Sequence, residues 1–321
     1  MISINKMQVE NLINSLESEI NSQHDKAILN LRNLYNNNKY LTSKESSFLR
    51  LIIREFRKKN FVSFPLQDMD DLVYRIGEMP ITQKRRFSGK KKESYLKDEI
   101  LKALNYSGNR SLFYPQYFQR LGIKSCVYCN SQLTVTIQKS LEEKGIISTE
   151  YKANFQVDHY YPKDKYPYLS IALFNLYPVC ASCNLTKLNN IIDFKLYDTK
   201  VNTNIFHFEL DKSSKAKFLI TRNIEDLKII FKRTGDDSYK DIFNVTEIYQ
   251  TQTDIAEEII LKALAYSPVH RDYLKNIYKS NRINDTLIDR IILGNYTKAE
   301  EILKRPMAKF MQDIGKEVGL I

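Results

Sequence analysis

Four cysteines, Cys126, Cys129, Cys180 and Cys183, are the only ones in the chain, and they fall as two C-x-x-C pairs. Two residues between cysteines let a tight turn present both sulfurs to one ion, and two such turns close a tetrahedron of thiolates. That is the coordination of a structural Zn²⁺ with no open position. A disulfide reading is weaker, because cysteines three apart rarely reach each other comfortably and nothing in the chain looks secreted. A thiol-redox reading wants one pair beside a thioredoxin-like strand pattern, whereas here two matched pairs bracket a histidine. Any fold of this chain must therefore bring the first pair and the second together.

Between the pairs lie the residues with chemistry. Asn154-Phe-Gln-Val-Asp158-His159 reads as a short strand with Phe155 and Val157 on one face, and Pro162 ends it. After a tyrosine-rich loop comes Asn175, then Leu176 to Val179 as a second short strand, and the second pair leads into a helix beginning near Asn184. The order is strand, loop, strand, helix. From Cys126 to about Asn190 this stretch resembles the HNH endonucleases with a ββα-metal fold, in the subclass braced by two zinc knuckles. The residues carrying the resemblance are Cys126, Cys129, Asp158, His159, Asn175, Cys180, Cys183, Asn184 and Lys187. Asn184 stands where many members have His, which makes this an H-N-N variant.

Cutting a phosphodiester requires a base titrating near neutral pH within reach of the attacking water, and His159 is the natural candidate. The resemblance implies that Asp158 and Asn184, hard oxygen ligands, hold a catalytic divalent ion, better suited to Mg²⁺ or Mn²⁺ than to zinc. It also implies that Asn175 ties the loop and orients the His159 ring, and that Lys187, one turn into the helix, faces a phosphate oxygen. Each residue has a plainer reading. A histidine at a strand end is more often a hydrogen-bonded surface residue, and an Asn before a strand more often a turn former. Their joint spacing carries the functional reading. His24, His207 and His270 are scattered, without cysteine or carboxylate patterning, and read as structural.

The net charge of +11 and pI near 9.2 favour an acidic partner, and for such a core DNA is the obvious one. Lysine-rich and asparagine-rich composition also reflects genome base bias. No apolar run reaches membrane-spanning length and no signal-peptide pattern opens the chain, so the expected location is cytoplasmic, with no membrane partner. The run from Gln83 to Lys92 holds six cations, Lys84, Arg85, Arg86, Lys90, Lys91 and Lys92, and no acid. It is either a solvated loop or a grip on the nucleic-acid backbone.

Helical spacing marks three helices before residue 60, with Thr42 and Glu45 forming a capping box before the third. The run Asn36-Asn37-Asn38 separates the second from the third. A helix follows from Glu93 to Tyr106, then an aromatic segment from Phe113 to Phe118. Leu133, Val135 and Ile137 open a hairpin that turns at Lys144-Gly145. Residues 191–210 read as irregular or short strand, Phe218-Leu-Ile and the stretch from Ile242 to Tyr249 as extended, and the rest as helical, with Pro306 breaking or starting the last helix.

The expected fold class is α+β: a zinc-braced ββα-metal core in residues 119–200, flanked by a helical N-terminal region (1–118) and a mixed, mainly helical C-terminal region (201–321). The expected function is a metal-dependent HNH endonuclease acting on DNA. Leu196-Tyr-Asp198, Phe206 and Phe208 also resemble segments of the HNH effector subunits of bacterial anti-phage defence systems of the Septu kind, which work with an ATPase partner. Two alternatives stay open. One is a catalytically silent zinc module that binds nucleic acid or a partner protein, although binding alone needs none of Asp158, His159, Asn175 and Asn184. The other is a nuclease acting on RNA or single strands.

Overall fold

The computed structural model describes the chain apart from residues 38, 88–91, 144–145, 189–191, 193, 199–204, 236–239 and 280–282. Asn38, Lys90, Lys91, the turn at Lys144-Gly145 and Ile191, each part of a sequence-based expectation, therefore lie outside the described residues.

Helices and small sheets alternate, an α+β architecture. Three helices open the chain: α1 (Lys6–Ser15), α2 (Glu17–Asn36) and α3 (Ser43–Phe56). The α3 N-terminus is closed by reciprocal bonds between Thr42 and Glu45, which satisfy amides that the first helical turn leaves unpaired. Phe48, Leu49, Ile52, Ile53 and Phe56 recur at helical spacing and form its buried face. Two short helices follow, α4 (Met69–Ile76) and α5 (Leu96–Ala103). The latter begins later than the periodicity suggests, because Glu93–Ser94 pairs antiparallel with Arg85–Arg86. The aromatic segment is helix α6 (Tyr114–Arg120), and Tyr114, Tyr117 and Phe118 are wholly enclosed.

The predicted hairpin is present as β1 (Val135–Glu143) and β2 (Ile146–Asn154), in register Val135 to Asn154. Two four-residue strands, β3 (Gln156–His159) and β4 (Leu176–Val179), pair antiparallel with Asp158 opposite Tyr177 and His159 opposite Leu176. Helix α7 (Ala181–Lys187) follows at once. It starts three residues before Asn184, because Cys180 is itself its N-cap.

Further on, β5 (Phe206–Leu210) pairs antiparallel with β6 (Ile229–Arg233) around helix α8 (Lys212–Thr221). Phe218-Leu-Ile is thus helical, not extended: Asp211 accepts from the Ser214 amide and starts the turn. The stretch from Ile242 to Tyr249 is also not a strand. Asp241 accepts from the Thr246 amide, and α9 (Val245–Gln250) forms despite its β-branched start. Four helices complete the chain: α10 (Thr253–Ala265), α11 (Pro268–Lys279), α12 (Asp285–Leu293) and α13 (Ala308–Glu317). Among the described residues no helix is long and apolar enough to cross a membrane.

One apolar cluster runs from Met1 to Leu320 and takes in the cysteines. Both ends of the chain are laced into the first cysteine turn. The Ile2 amide donates to the Val127 carbonyl at 2.8 Å, and Ile4 lies parallel to Tyr197. From the other side, the Met307 amide donates to the Asn130 carbonyl at 2.6 Å and the Tyr249 hydroxyl to the Cys129 carbonyl at 2.9 Å.

Candidate metal centre and catalytic cleft

The four cysteines are buried, and their sulfurs all lie within 4.8 Å of one another. A tetrahedral zinc with bonds of about 2.3 Å separates its sulfurs by about 3.8 Å, and Cys129 and Cys180 stand 4.0 Å apart. The cluster is compatible with a zinc site. Donors aimed at the sulfurs support it: the Cys180 amide to Cys126 at 3.3 Å and the Ser131 hydroxyl to Cys129 at 3.1 Å. The surrounding thiols of Cys126, Cys180 and Cys183, helped by Ser131, hold Cys129 well below its ordinary pKa, toward the thiolate that binds metal. Asn130 takes a left-handed φ of 55° straight after the first pair, a conformation Asn tolerates, and so closes that turn.

Helix geometry couples the cysteines to the second site. Cys180, Cys183, Asn184 and Lys187 follow at spacings of three, one and three, so one face of α7 carries two sulfurs, an amide and an ammonium toward β3. On β3, Asp158 and His159 are nearly enclosed.

The Lys187 side chain is fully buried rather than reaching solvent. Its Nζ lies 3.2 Å from Asp158 Oδ1 and 3.1 Å from Oδ2, and donates to the His159 carbonyl at 2.7 Å. Burial lowers its pKa, and the Asp158 charge opposes that shift. The Tyr128 hydroxyl, from inside the first cysteine turn, donates to Asp158 Oδ2 at 2.5 Å. Its ring stacks on Phe243 at 4.4 Å, which fixes the hydroxyl's position.

The His159 ring is held by groups no motif contains. Nε2 lies 3.3 Å from the Ser170 carbonyl, and the Tyr106 ring sits against the imidazole at 5.4 Å. Burial, with Lys163 and Lys187 nearby, lowers the His159 pKa to about 3, partly offset by the bond to Ser170. The ring is therefore neutral at neutral pH and does not titrate near neutrality, contrary to the expectation from sequence, because burial and the nearby lysines disfavour its charged form. Because a carbonyl only accepts, Nε2 carries the proton and Nδ1 keeps the lone pair.

Asn175 is fully buried and clamps the loop between the strands. Its Oδ1 accepts from the Tyr161 amide at 2.7 Å, and its Nδ2 donates to the carbonyls of Tyr161 and Leu169 at 3.2 and 3.0 Å. The Leu169 bond fixes the residue next to Ser170, so Asn175 reaches the His159 ring through the backbone rather than by contact.

Asp158, His159 and Asn184 line one cleft of about 180 Å³, together with Pro162 and Lys163. No protein-family model, curated protein or solved structure matches this chain. The chemistry of the site therefore rests on its own geometry.

For a hard divalent cation the fit is as follows. Asn184 donates its Nδ2 to Gln156, which leaves its carbonyl oxygen to face a ligand. Asp158 already accepts from Tyr128 and Lys187, but a carboxylate offers about four lone-pair sites and keeps capacity. One carboxylate and one amide oxygen match the low count of protein ligands that Mg²⁺ accepts beside water and phosphate. The donor set fits, with Lys187 as a resident positive charge that the cation must share.

Sequence reasoning missed Tyr106, Tyr128, Lys163 and Ser170. Lys163 is half-buried in the cleft wall and is the cation there best placed for a phosphate. In the basic run, Lys84, Arg86 and Lys92 are exposed, whereas Arg85 is ion-paired with the buried Glu45 and lies over the Phe87 ring.

Proposed function

We propose that this chain is a metal-dependent endonuclease of the HNH kind, hydrolysing phosphodiester bonds in DNA, with structural zinc in the four-cysteine site. The observation that carries the reading is geometric: Asp158, His159 and Asn184 line one cleft, and the Nε2 proton of His159 is spent on the Ser170 carbonyl, which leaves Nδ1 as the ring's proton acceptor. Asp158 and Asn184 would hold a divalent ion, which when bound supplies charge neutralisation at the scissile phosphate. Lys163 adds a positive charge on the same wall. Asn175 keeps the loop that carries Ser170 in place, and through it the tautomer. The net charge of +11 supports an anionic polymer as substrate.

A silent zinc module is the second reading, and one observation favours it: both Asp158 oxygens are already engaged within the fold. Incubation of purified protein with supercoiled plasmid or single-stranded circular DNA and Mg²⁺ or Mn²⁺, beside His159→Ala, separates the two. The nuclease reading expects nicking or linearisation that requires added metal and is lost in the variant, with zinc content unchanged. Cleavage that survives in His159→Ala removes the base from the mechanism.

A further inference from the structure

Val157 lines both the cleft beside His159 and a second, larger groove of about 810 Å³. One wall is the stretch from Ser107 through a π-helical turn, Asn109–Phe113, to Gln116, and the other is β2 from Ser148 to Ala153. Single π turns recur at functional sites because they reset the direction of the side chains that follow. Here the turn carries Arg110, one helical turn beyond the Tyr106 that packs on His159.

Two features of the lining point to a ligand. Arg110 and Lys152, one on each wall, are exposed, and among the described residues neither has an ion-pair or hydrogen-bond partner. Set in the lining of one groove from two different elements, the two cations give it positive charge for an anion. Glu150, the acid in the groove, stands opposite Lys139 in the hairpin register. In the same lining, half-buried Tyr151 and Phe155 offer aromatic surface. Alternating phosphate-facing cations and aromatic surface is the pattern of single-strand recognition, because every base has a face to stack. The size agrees: a groove in the range of small-ligand clefts takes a few nucleotides of one strand, not a duplex.

We propose that this groove binds an unpaired nucleic-acid strand and leads it to the Asp158–His159 cleft. The inference rests on the nuclease reading for the chemistry at the end of the track, and concerns the strand that reaches it. Its test uses the full-length chain in the His159→Ala background, without added divalent metal. Fluorescence anisotropy compares a labelled single-stranded DNA, its duplex and the matching RNA across about 50 to 200 mM salt. Single strands are expected to bind more tightly than the duplex. Arg110→Ala with Lys152→Ala is expected to weaken single-strand binding and to flatten the log–log salt slope by about 1.4, about 0.7 for each phosphate no longer neutralised. Circular dichroism and zinc content check that the double variant is folded; both residues are exposed, and Arg110→Gln with Lys152→Gln is the milder pair.

Unchanged affinity and slope in both pairs overturn the proposal, as does a duplex bound at least as tightly as the single strand. A groove that serves a protein partner gives the first of these results. The nuclease reading is scored separately. His159-dependent cleavage with unchanged strand binding in the double variants sinks the groove and spares the nuclease. Strand binding that follows Arg110 and Lys152, without cleavage by the unmodified chain, does the reverse.

Discussion

His159, the base in the proposed mechanism, shows how much of a side chain's behaviour is decided by what surrounds it. An exposed imidazole titrates near 6.5, and this one is lowered to about 3 by burial among cations. Between those values the unfolded chain binds a proton that the folded chain refuses. Acid therefore favours unfolding: the contribution is complete above about pH 6.5 and is lost as pH falls toward 3. Its size is of order 5 kcal/mol. We expect the melting temperature of the unmodified protein to fall more steeply below pH 6.5 than that of His159→Asn, measured by thermal unfolding across this range. His24, lowered chiefly by its own burial, contributes the same slope to both proteins and cancels. Parallel curves would mean that the ring is not held neutral by the fold. Little of this was legible in the sequence, where Asp158-His159 marked the place but not the partners. The ring's partner is a main-chain carbonyl, which any residue at position 170 supplies. Tyr128 occupies a variable place within a C-x-x-C pair, so nothing in the spacing gives its hydroxyl a role.

At the scale of elements, the unit formed by β3, β4 and α7 is too small to bury a core of its own, and the four thiols supply what it lacks. Cys180 stands at the N-cap of α7 and contributes one of the four clustered sulfurs, so losing that thiol removes a candidate ligand at the start of the helix that carries Asn184 and Lys187. Structural zinc supplies folding free energy directly, on the order of 10 kcal/mol in isolated fingers. Cys180→Ser is expected to lose zinc, read by native mass spectrometry, and to lose the cooperative unfolding transition; a variant of normal stability would show that the cluster holds no structural ion. These elements were readable because their signals are local: thiol spacing, a strand-ending proline, alternation across four residues. Helices α8 and α9 were not. α8 buries only Ser214 and Phe218, so it has no apolar stripe to read, and its one signal is Asp211 ahead of Ser214. In α9 the β-branched residues point to a strand, and the cap at Asp241 with packing of Val245 and Tyr249 overrides them.

Across the whole molecule, the regions that look separable in sequence are joined at the first cysteine turn. Asn130 is the joint: its side chain donates to Ser125 at 2.7 Å and accepts from the Lys309 amide at 3.0 Å, while its carbonyl receives Met307. Asn130→Ala leaves a buried amide without its acceptor and puts a Cβ residue with no local hydrogen bond at a left-handed φ, at a cost of roughly 2 to 4 kcal/mol. Urea denaturation should show that loss as one shifted transition. A split into two transitions would mean that the C-terminal helices fold without the cysteine turn. Periodicity and motif spacing report on neighbours in sequence, whereas this joint links residues more than 170 apart, which is why it could not be read in advance.

That joint also sets an order of events. The backbone groups that close the first cysteine turn come from Ile2 on one side and from Tyr249 and Met307 on the other. During synthesis from the N-terminus, Cys126 to Lys187 are complete well before Met307 emerges, so the turn waits, open, for the last helix. The cleft that depends on it, through Tyr128 and Asp158, is complete only once Tyr249 and Met307 have joined the turn. A truncated product that still contains every motif residue would lack that closure. If the chain cuts nucleic acid as proposed, late assembly would keep unfinished copies from cutting.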